Sequence, residues 1–385
     1  MTENSSLGRV FFITLGCAKN EVDTDRMRAL LLASGFEEAF DVEDADVAIV
    51  NTCSFLASAT EESVEATLEL AESRAEGVRS CPIIMCGCVP SRYGDDLPEQ
   101  LPEVAAFVKA EDEDGIVDVV AGVLGIPVGT PVLDAGAMLR TVQGASAFVK
   151  ISEGCDRFCA FCAIPYIRGR YHSRPADEIV SEVSSLMERG VREVVLIGQD
   201  TGIWGSDFDH DETLAKLLMR VAKVVRPYNG WVRVLYLQPE GMTDELIAAI
   251  RDTPEVLPYI DIPIQHCSAR VLKAMGRSGD PQQLHELFAK LRTEIPGMVL
   301  RTTGMAGFPG ETDEEAVELF DFIESEEFDY TSVFAYSQEE GTRAAAMDGQ
   351  VDEETKLERT QRLIDLVEEL GFSATAKHVG ERVEV

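Results

Sequence analysis

The chain has 385 residues, 45% hydrophobic and 27% charged, which is globular composition and more length than one ordinary core fills. Its 34 Lys and Arg stand against 69 Asp and Glu, and the net charge of −35 repels phosphate backbones and attracts basic partners. Nine cysteines without a secretory leader read as reduced cytoplasmic thiols, so metal or redox chemistry outranks disulfide staples, and no run is long and apolar enough for a membrane span.

The opening MTENSSLGRVFFITLGC ends in a lipobox-like TLGC. Its apolar run is short, however, its leader carries an acid and an arginine, and no polar spacer follows, so a buried strand through VFFITL is the better reading. That strand runs out at Gly16-Cys17, and a helical pattern follows from about Asp23 to Gly35. ADVAIVNTC is the next strand, ending at Cys53 before the helix TEESVEATLELAESRA; CPIIMCGC is a third, ending at Cys88. Continuous apolar strands alternating with amphipathic helices predict an N-terminal parallel-sheet α/β domain over residues 1–134, covered on both faces. Ligands sit outside the carboxyl ends of such strands, where Cys17, Cys53 and Cys88 fall. Residues 135–146, within DAGAMLRTVQGAS, read as a linker.

Strands then recur at SAFVKIS, EVVLIGQD, RVLYLQPE, YIDIPIQH, MVLRTTGMAG and YTSVFAYS, with helices between them. Six β/α units predict a partial, open TIM-like (β/α)6 barrel over residues 147–376. EGC, GQDT, PEG, QHCS, GFPGET and SQEEGT follow its strands, where a parallel barrel builds its active site. A long helix closes the domain, and residues 377–385 begin a further segment whose HVGERVEV reads as an opening strand.

The stretch ISEGCDRFCAFCAIPYIRGRYHSRP places Cys155, Cys159 and Cys162 within eight residues. Three thiols are odd for a disulfide framework and one short of a closed zinc site, though His172 would complete a zinc Cys₃His set. Soft thiolates equally favour an iron–sulfur cluster, and four irons on three thiolates leave one iron open to a small molecule. Cys17, Cys53 and Cys88 make a second trio. Cys81 and Cys86 compete for its third place, but one opens its strand and the other lies inside it; Cys267 reads as a packing residue.

C-x3-C-x2-C just after a first barrel strand resembles the radical S-adenosylmethionine (AdoMet) superfamily. The resemblance implies that AdoMet binds the open iron of a 4Fe–4S cluster on Cys155, Cys159 and Cys162 and is cleaved to a 5′-deoxyadenosyl radical. Phe161 suits the aromatic position common in that loop, or simply provides apolar cover. Gly198, Gln199 and Asp200 stand where the superfamily grips the methionine amine, and Gly307, Pro309 and Gly310 where it approaches the adenine. Those glycines also serve as turns, and Thr312 as a helix cap.

Together with the second trio, the motifs TLGCAKNEVDTDRM, IVNTCSF, CGCVPSRYG, GFPGET and YSQEEGT resemble the methylthiotransferase family over nearly the whole chain. That implies two 4Fe–4S clusters, the auxiliary one on Cys17, Cys53 and Cys88, and transfer of a methylthio group to an unactivated carbon. LGCAKN, LYLQPEG and IPIQHCSARVLKAMGR resemble the protein-modifying branch, with Gln238 replacing a more usual tyrosine. The branch implies an aspartate of the basic ribosomal protein S-twelve as substrate, with a tRNA adenosine as the alternative, and a reducing partner such as flavodoxin or ferredoxin. The acidic charge agrees, and nucleic acid is not expected as the modified substrate. Arg168 to Pro175 offers arginines to the substrate or forms a solvated turn. The family's C-terminal TRAM β-barrel is largely absent from the sequence, HVGERVEV resembling its first strand alone.

Overall fold

The computed structural model describes residues 6–75, 81–127, 140, 142 and 144–382, with the backbone alone for 73–75. The chain forms two compact units, Met1–Cys155 with Ala163–Ile197, and Asp156–Cys162 with Gly198–Val385.

The first unit begins with β1 (Arg9–Thr14), α1 (Ala18–Ala33), β2 (Glu37–Glu38), β3 (Val47–Thr52), α2 (Ala57–Ala75), β4 (Ile83–Gly87), α3 (Cys88–Tyr93), α4 (Leu97–Gln100), β5 (Val104–Lys109) and α5 (Ile116–Leu124). Its strands make one parallel sheet in the order β2-β1-β3-β4-β5. Every residue of β3 is buried. Val47 and Ile49 pack with Val10, Leu30 and Ile84 on one face, Ala48 and Val50 with Leu70, Ile83 and Met85 on the other. The strand period of two thus serves two cores, which is why Val47 to Val50 are all apolar rather than alternating.

The unit continues through β6 (Ser146–Lys150), β7 (Ser152–Glu153), α6 (Ile164–Ile167), β8 (His172–Ser173), α7 (Ala176–Glu188) and β9 (Glu193–Ile197). β6 pairs in parallel with β9, and β7 antiparallel with β8. This compact division differs from the boundary read in the sequence at residues 134–147. The physical reason is a set of ion pairs: Asp25 of α1 meets Arg140 at 3.1 Å, Asp23 meets Lys150 of β6 at 2.5 Å, and Arg140 meets Glu182 of α7 at 2.7 Å. Of the expected linker, residues 135–139, 141 and 143 lie outside the described residues.

The second unit contains α8 (Leu214–Val225), β10 (Trp231–Val234), α9 (Asp244–Asp252), β11 (Val256–Gln265), α10 (Ala269–Met275), α11 (Pro281–Glu294), β12 (Val299–Ala306), α12 (Asp313–Glu326), β13 (Tyr330–Ala335) and α13 (Glu353–Lys377). β10 to β13 pair in parallel in chain order. Side chains of Thr213, Thr243, Asp280, Thr312 and Asp352 accept backbone N–H groups at helix N-termini, so each helix restarts cleanly after its loop. All six expected strands of this region form, β6 and β9 in the first unit and β10 to β13 in the second. Residues 378–382 turn without forming a strand, and 383–385 lie outside the described residues. Among the described residues no helix is long and apolar enough to cross a membrane.

Candidate functional site

In the first unit three sheet exits each deliver a thiol. Cys17 caps α1 after β1, Cys53 follows β3, and Cys88 opens α3 directly after β4. Gly16 has φ +94°, and a Cβ there would lie 2.5 Å from Cys53 Cβ and 2.9 Å from its Sγ. The turn into Cys17 therefore touches Cys53, and only glycine allows it. Cys88 lies within the electrostatic reach of both Cys53 and Cys17. Cys81 and Cys86 instead pack into the two cores on opposite faces of the sheet, and Cys267 is fully buried in the second unit.

Burial pushes the Cys88 thiol up to about 11, against the downward pull of Arg168, and raises Cys53 as well. Both are neutral thiols in the free protein; binding a soft metal would release their protons. Among the described residues no three His, Cys, Asp or Glu side chains converge on a single metal ion. A cubane differs, because each thiolate holds its own iron. Three thiols from three adjoining strand ends, with the Gly16 turn pressed against Cys53, fit that donor set.

Behind the trio lies a polar network that the sequence reading missed. Arg168, its side chain 3% exposed, donates to Asp23 Oδ2 and Asn20 Oδ1 at 2.7 Å each, and its charge pulls the Cys88 thiol down. Lys150 bridges Asp23 and Glu153 at 2.5 Å each. Arg174 pairs with Glu182 at 2.8 Å. Neither arginine is offered to a substrate or left in a solvated turn, so both expectations for Arg168 to Pro175 fail at these two residues. The available signal was the polar pair Asn20 and Asp23 on the buried side of α1, which calls for a buried partner.

The three-cysteine loop divides between the units. In the first, the Cys155 N–H donates to Gly169 O at 3.2 Å, and His172 stands exposed on β8 opposite Glu153. In the second, Cys162 N–H closes a turn onto Cys159 O at 3.1 Å. Ala160 is pinned from both sides: its N–H donates to Met275 O at 2.7 Å and its carbonyl accepts from Ala344 N at 2.8 Å. Phe161 packs, partly buried, against an apolar cluster containing Ala160, Met275, Phe308 and Tyr336.

The two expected AdoMet stations also lie in the second unit. After Gly198 and Gln199, Asp200 is fully buried and paired with Arg157 of the cysteine loop, while its Oδ1 has no partner. Burial raises its carboxyl despite Arg157. Arg157 also meets Glu240 at 3.2 Å, and a cavity of about 210 Å³ opens beside Glu240, lined also by Pro239, Ser278 and Leu284. Gln238 accepts from Arg277, which donates to Pro263 O at 2.7 Å as well. In GFPGET the buried Glu311 folds back on its own loop, accepting from Gly307 N at 2.9 Å and Phe308 N at 3.3 Å, and is held by Arg359 at 2.8 Å. Gly310 N–H donates to Gly349 O at 2.7 Å, and Thr312 caps α12 with Glu315 in a capping box.

Residues 149–323 match the Radical SAM superfamily model and residues 9–109 the model of uncharacterized protein family UPF0004. A protein of Pelobacter propionicus, named ribosomal protein uS12 methylthiotransferase RimO, is 41% identical over 100% of this chain and 86% of its own length. The protein of that name from Symbiobacterium thermophilum is 42% identical over 98% of this chain and 78% of its own. The chain belongs to the ribosomal protein uS12 methylthiotransferase family. Among solved structures, the radical S-adenosylmethionine methyltransferase TsrM from Kitasatospora setae superposes with a TM-score of 0.64 at 15% identity, covering 84% of this chain and 72% of that one. The cobalamin-dependent radical enzyme OxsB superposes at 0.59 and 12%, covering 94% and 56%. At such identities these two neighbours speak for fold alone. The RimO family's N-terminal parallel α/β domain and partial (β/α)6 radical SAM barrel are the fold class of this chain.

Proposed function

We propose that the chain transfers a methylthio group to the β-carbon of an aspartate in ribosomal protein uS12, using AdoMet and two 4Fe–4S clusters. Family membership at about 40% identity supports the reaction, and the observation that carries the cofactor count is the trio Cys17, Cys53 and Cys88 at adjoining strand exits, beside the separate Cys155, Cys159, Cys162 loop. When bound, the clusters and AdoMet supply the reducing electron, the hydrogen-abstracting power and the sulfur.

The chain's own residues hold and orient. Asp200 Oδ1, buried and without a partner, suits an ammonium such as that of AdoMet, and Arg157 keeps the other oxygen from turning away. Glu311 steadies the loop of Gly307, Pro309 and Gly310, which would approach the adenine, by accepting the N–H groups of Gly307 and Phe308. The net charge of −35 steers a basic ribosomal protein toward the surface and disfavours RNA. The electron comes from a donor of the flavodoxin or ferredoxin class.

Anaerobically reconstituted protein is expected to hold about eight irons per chain, without stoichiometric zinc. Cys159→Ala should abolish AdoMet cleavage to 5′-deoxyadenosine, whereas Cys53→Ala should spare cleavage and stop sulfur transfer. Mass spectrometry of uS12 and of tRNA after turnover reads the substrate. A methylthio group on tRNA and none on uS12 would overturn the assignment.

A further inference from the structure

Arg168 follows α6 and puts a guanidinium almost out of solvent, 3% exposed, behind the first-unit thiols. Its Nη2 donates to Asn20 Oδ1 at 2.7 Å. The Asn20 amide in turn donates to Leu15 O and to Thr52 O at 2.9 Å each. Thr52 directly precedes Cys53, and Leu15 lies two residues before Cys17. The third thiol, Cys88, packs against Ala163 and Ile167, the residue before Arg168, and lies within reach of the guanidinium's charge. One guanidinium is thus joined to the backbone beside Cys17 and Cys53 through one amide, and acts on Cys88 through its charge. Asp23 holds Nη1 at 2.7 Å and Glu153 lies 3.5 Å from it, and both carboxylates also meet Lys150, so two anions face the two cations. The next residue, Gly169, accepts the N–H of Cys155 at 3.2 Å, so the same dipeptide also steadies the first thiol of the other trio.

We propose that Arg168 is a positioning residue for the cluster on Cys17, Cys53 and Cys88, and that its buried charge sets that cluster's reduction potential. The proposal rests on the two-cluster reading. A buried cation beside a ligating sulfur stabilises the reduced, more negative state of a cluster and raises its potential. Asn20 and Asp23 have the complementary task of preventing the guanidinium from swinging away.

The test uses reconstituted Cys159→Ala protein, in which the other trio is disabled and about four irons are expected. A redox titration followed by electron paramagnetic resonance gives the midpoint of the remaining cluster. Arg168→Gln, which keeps donors toward Asn20 but loses the charge, should move the midpoint to more negative potential; Arg168→Lys should leave it near the parent. Arg168→Gln protein that keeps its circular dichroism yet binds no iron supports the holding role. Equal midpoints and equal iron in parent and Arg168→Gln would overturn the proposal. Adding Cys53→Ala to the same background separates the two levels: iron retained undiminished there refutes the cluster assignment itself, whatever Arg168 does.

Discussion

Gly16→Ala probes the contact on which the first-unit trio depends. A methyl group at residue 16 would sit 2.5 Å from Cys53 Cβ and 2.9 Å from Cys53 Sγ, inside any real carbon–carbon or carbon–sulfur contact. The backbone there has φ +94°, which an alanine adopts only under strain. Such strain costs about 1–3 kcal/mol and overpacking about another 1–3, so about 2–6 kcal/mol together. For a unit of this size that lowers the melting temperature by at least about 4 °C. Relief requires Cys53 or the turn to move, and either displaces a thiol. The expected result is loss of about half the bound iron, with AdoMet cleavage retained, since two like clusters share the total. Gly122→Ala, inside α5 with nothing within 4 Å of the added methyl, is the control and should stabilise by about 0.5–1 kcal/mol. Iron content and melting in Gly16→Ala equal to the parent would refute the close approach of the two strand exits.

Arg157→Met should destabilise the chain by about 3–5 kcal/mol, because the fully buried Asp200 loses its cation. Denaturant unfolding of Arg157→Met with and without Asp200→Asn checks it: neutralising Asp200 should recover most of the loss, and no recovery would reject the pairing argument. His266 accepts the N–H groups of Cys267 and Ser268 at 3.0 Å each, and burial lowers it from 6.5 to about 4. The unfolded chain therefore binds the extra proton between those values, and stability rises from pH 4 to 6.5 by up to about 3 kcal/mol. Glu311, pushed up by burial and 3.7 Å from His266 Nε2, slopes the opposite way, so His266→Asn is compared with its parent in cluster-free protein that carries Glu311→Gln in both. Identical pH slopes in the two proteins would reject it. Thr312→Ala should cost about 1 kcal/mol through loss of the α12 cap, read as a shifted denaturant midpoint at unchanged slope.

Much of the architecture was legible because period and punctuation are local. Val47 to Val50 reads as one apolar run and proves to be buried on both faces; Thr213, Thr243, Asp280, Thr312 and Asp352 stand where helices begin. The choice of Cys88 over Cys81 and Cys86 followed from position along a strand; Cys81 and Cys86 pack in the cores of the first sheet, and Cys88 packs with Ala163 and Ile167. Arg168 was misread because a run of arginines in a polar loop looks solvated, and nothing nearby in sequence announces Asn20 and Asp23 as its partners. The compact units likewise cut across the expected linker, because ion pairs from α1 to Arg140 and Lys150 join segments more than 100 residues apart.

By itself the sequence determined the loop trio, since Cys155, Cys159 and Cys162 are neighbours along one short stretch whatever the rest of the chain does. It determined the strand and helix alternation for the same reason. Only tertiary structure decided that the turns of Gly16 and Cys53 touch, and that one buried guanidinium stands behind Cys88. Those contacts depend on the side-by-side order of parallel strands and on charges finding partners away from water, and neither is a property of any local segment.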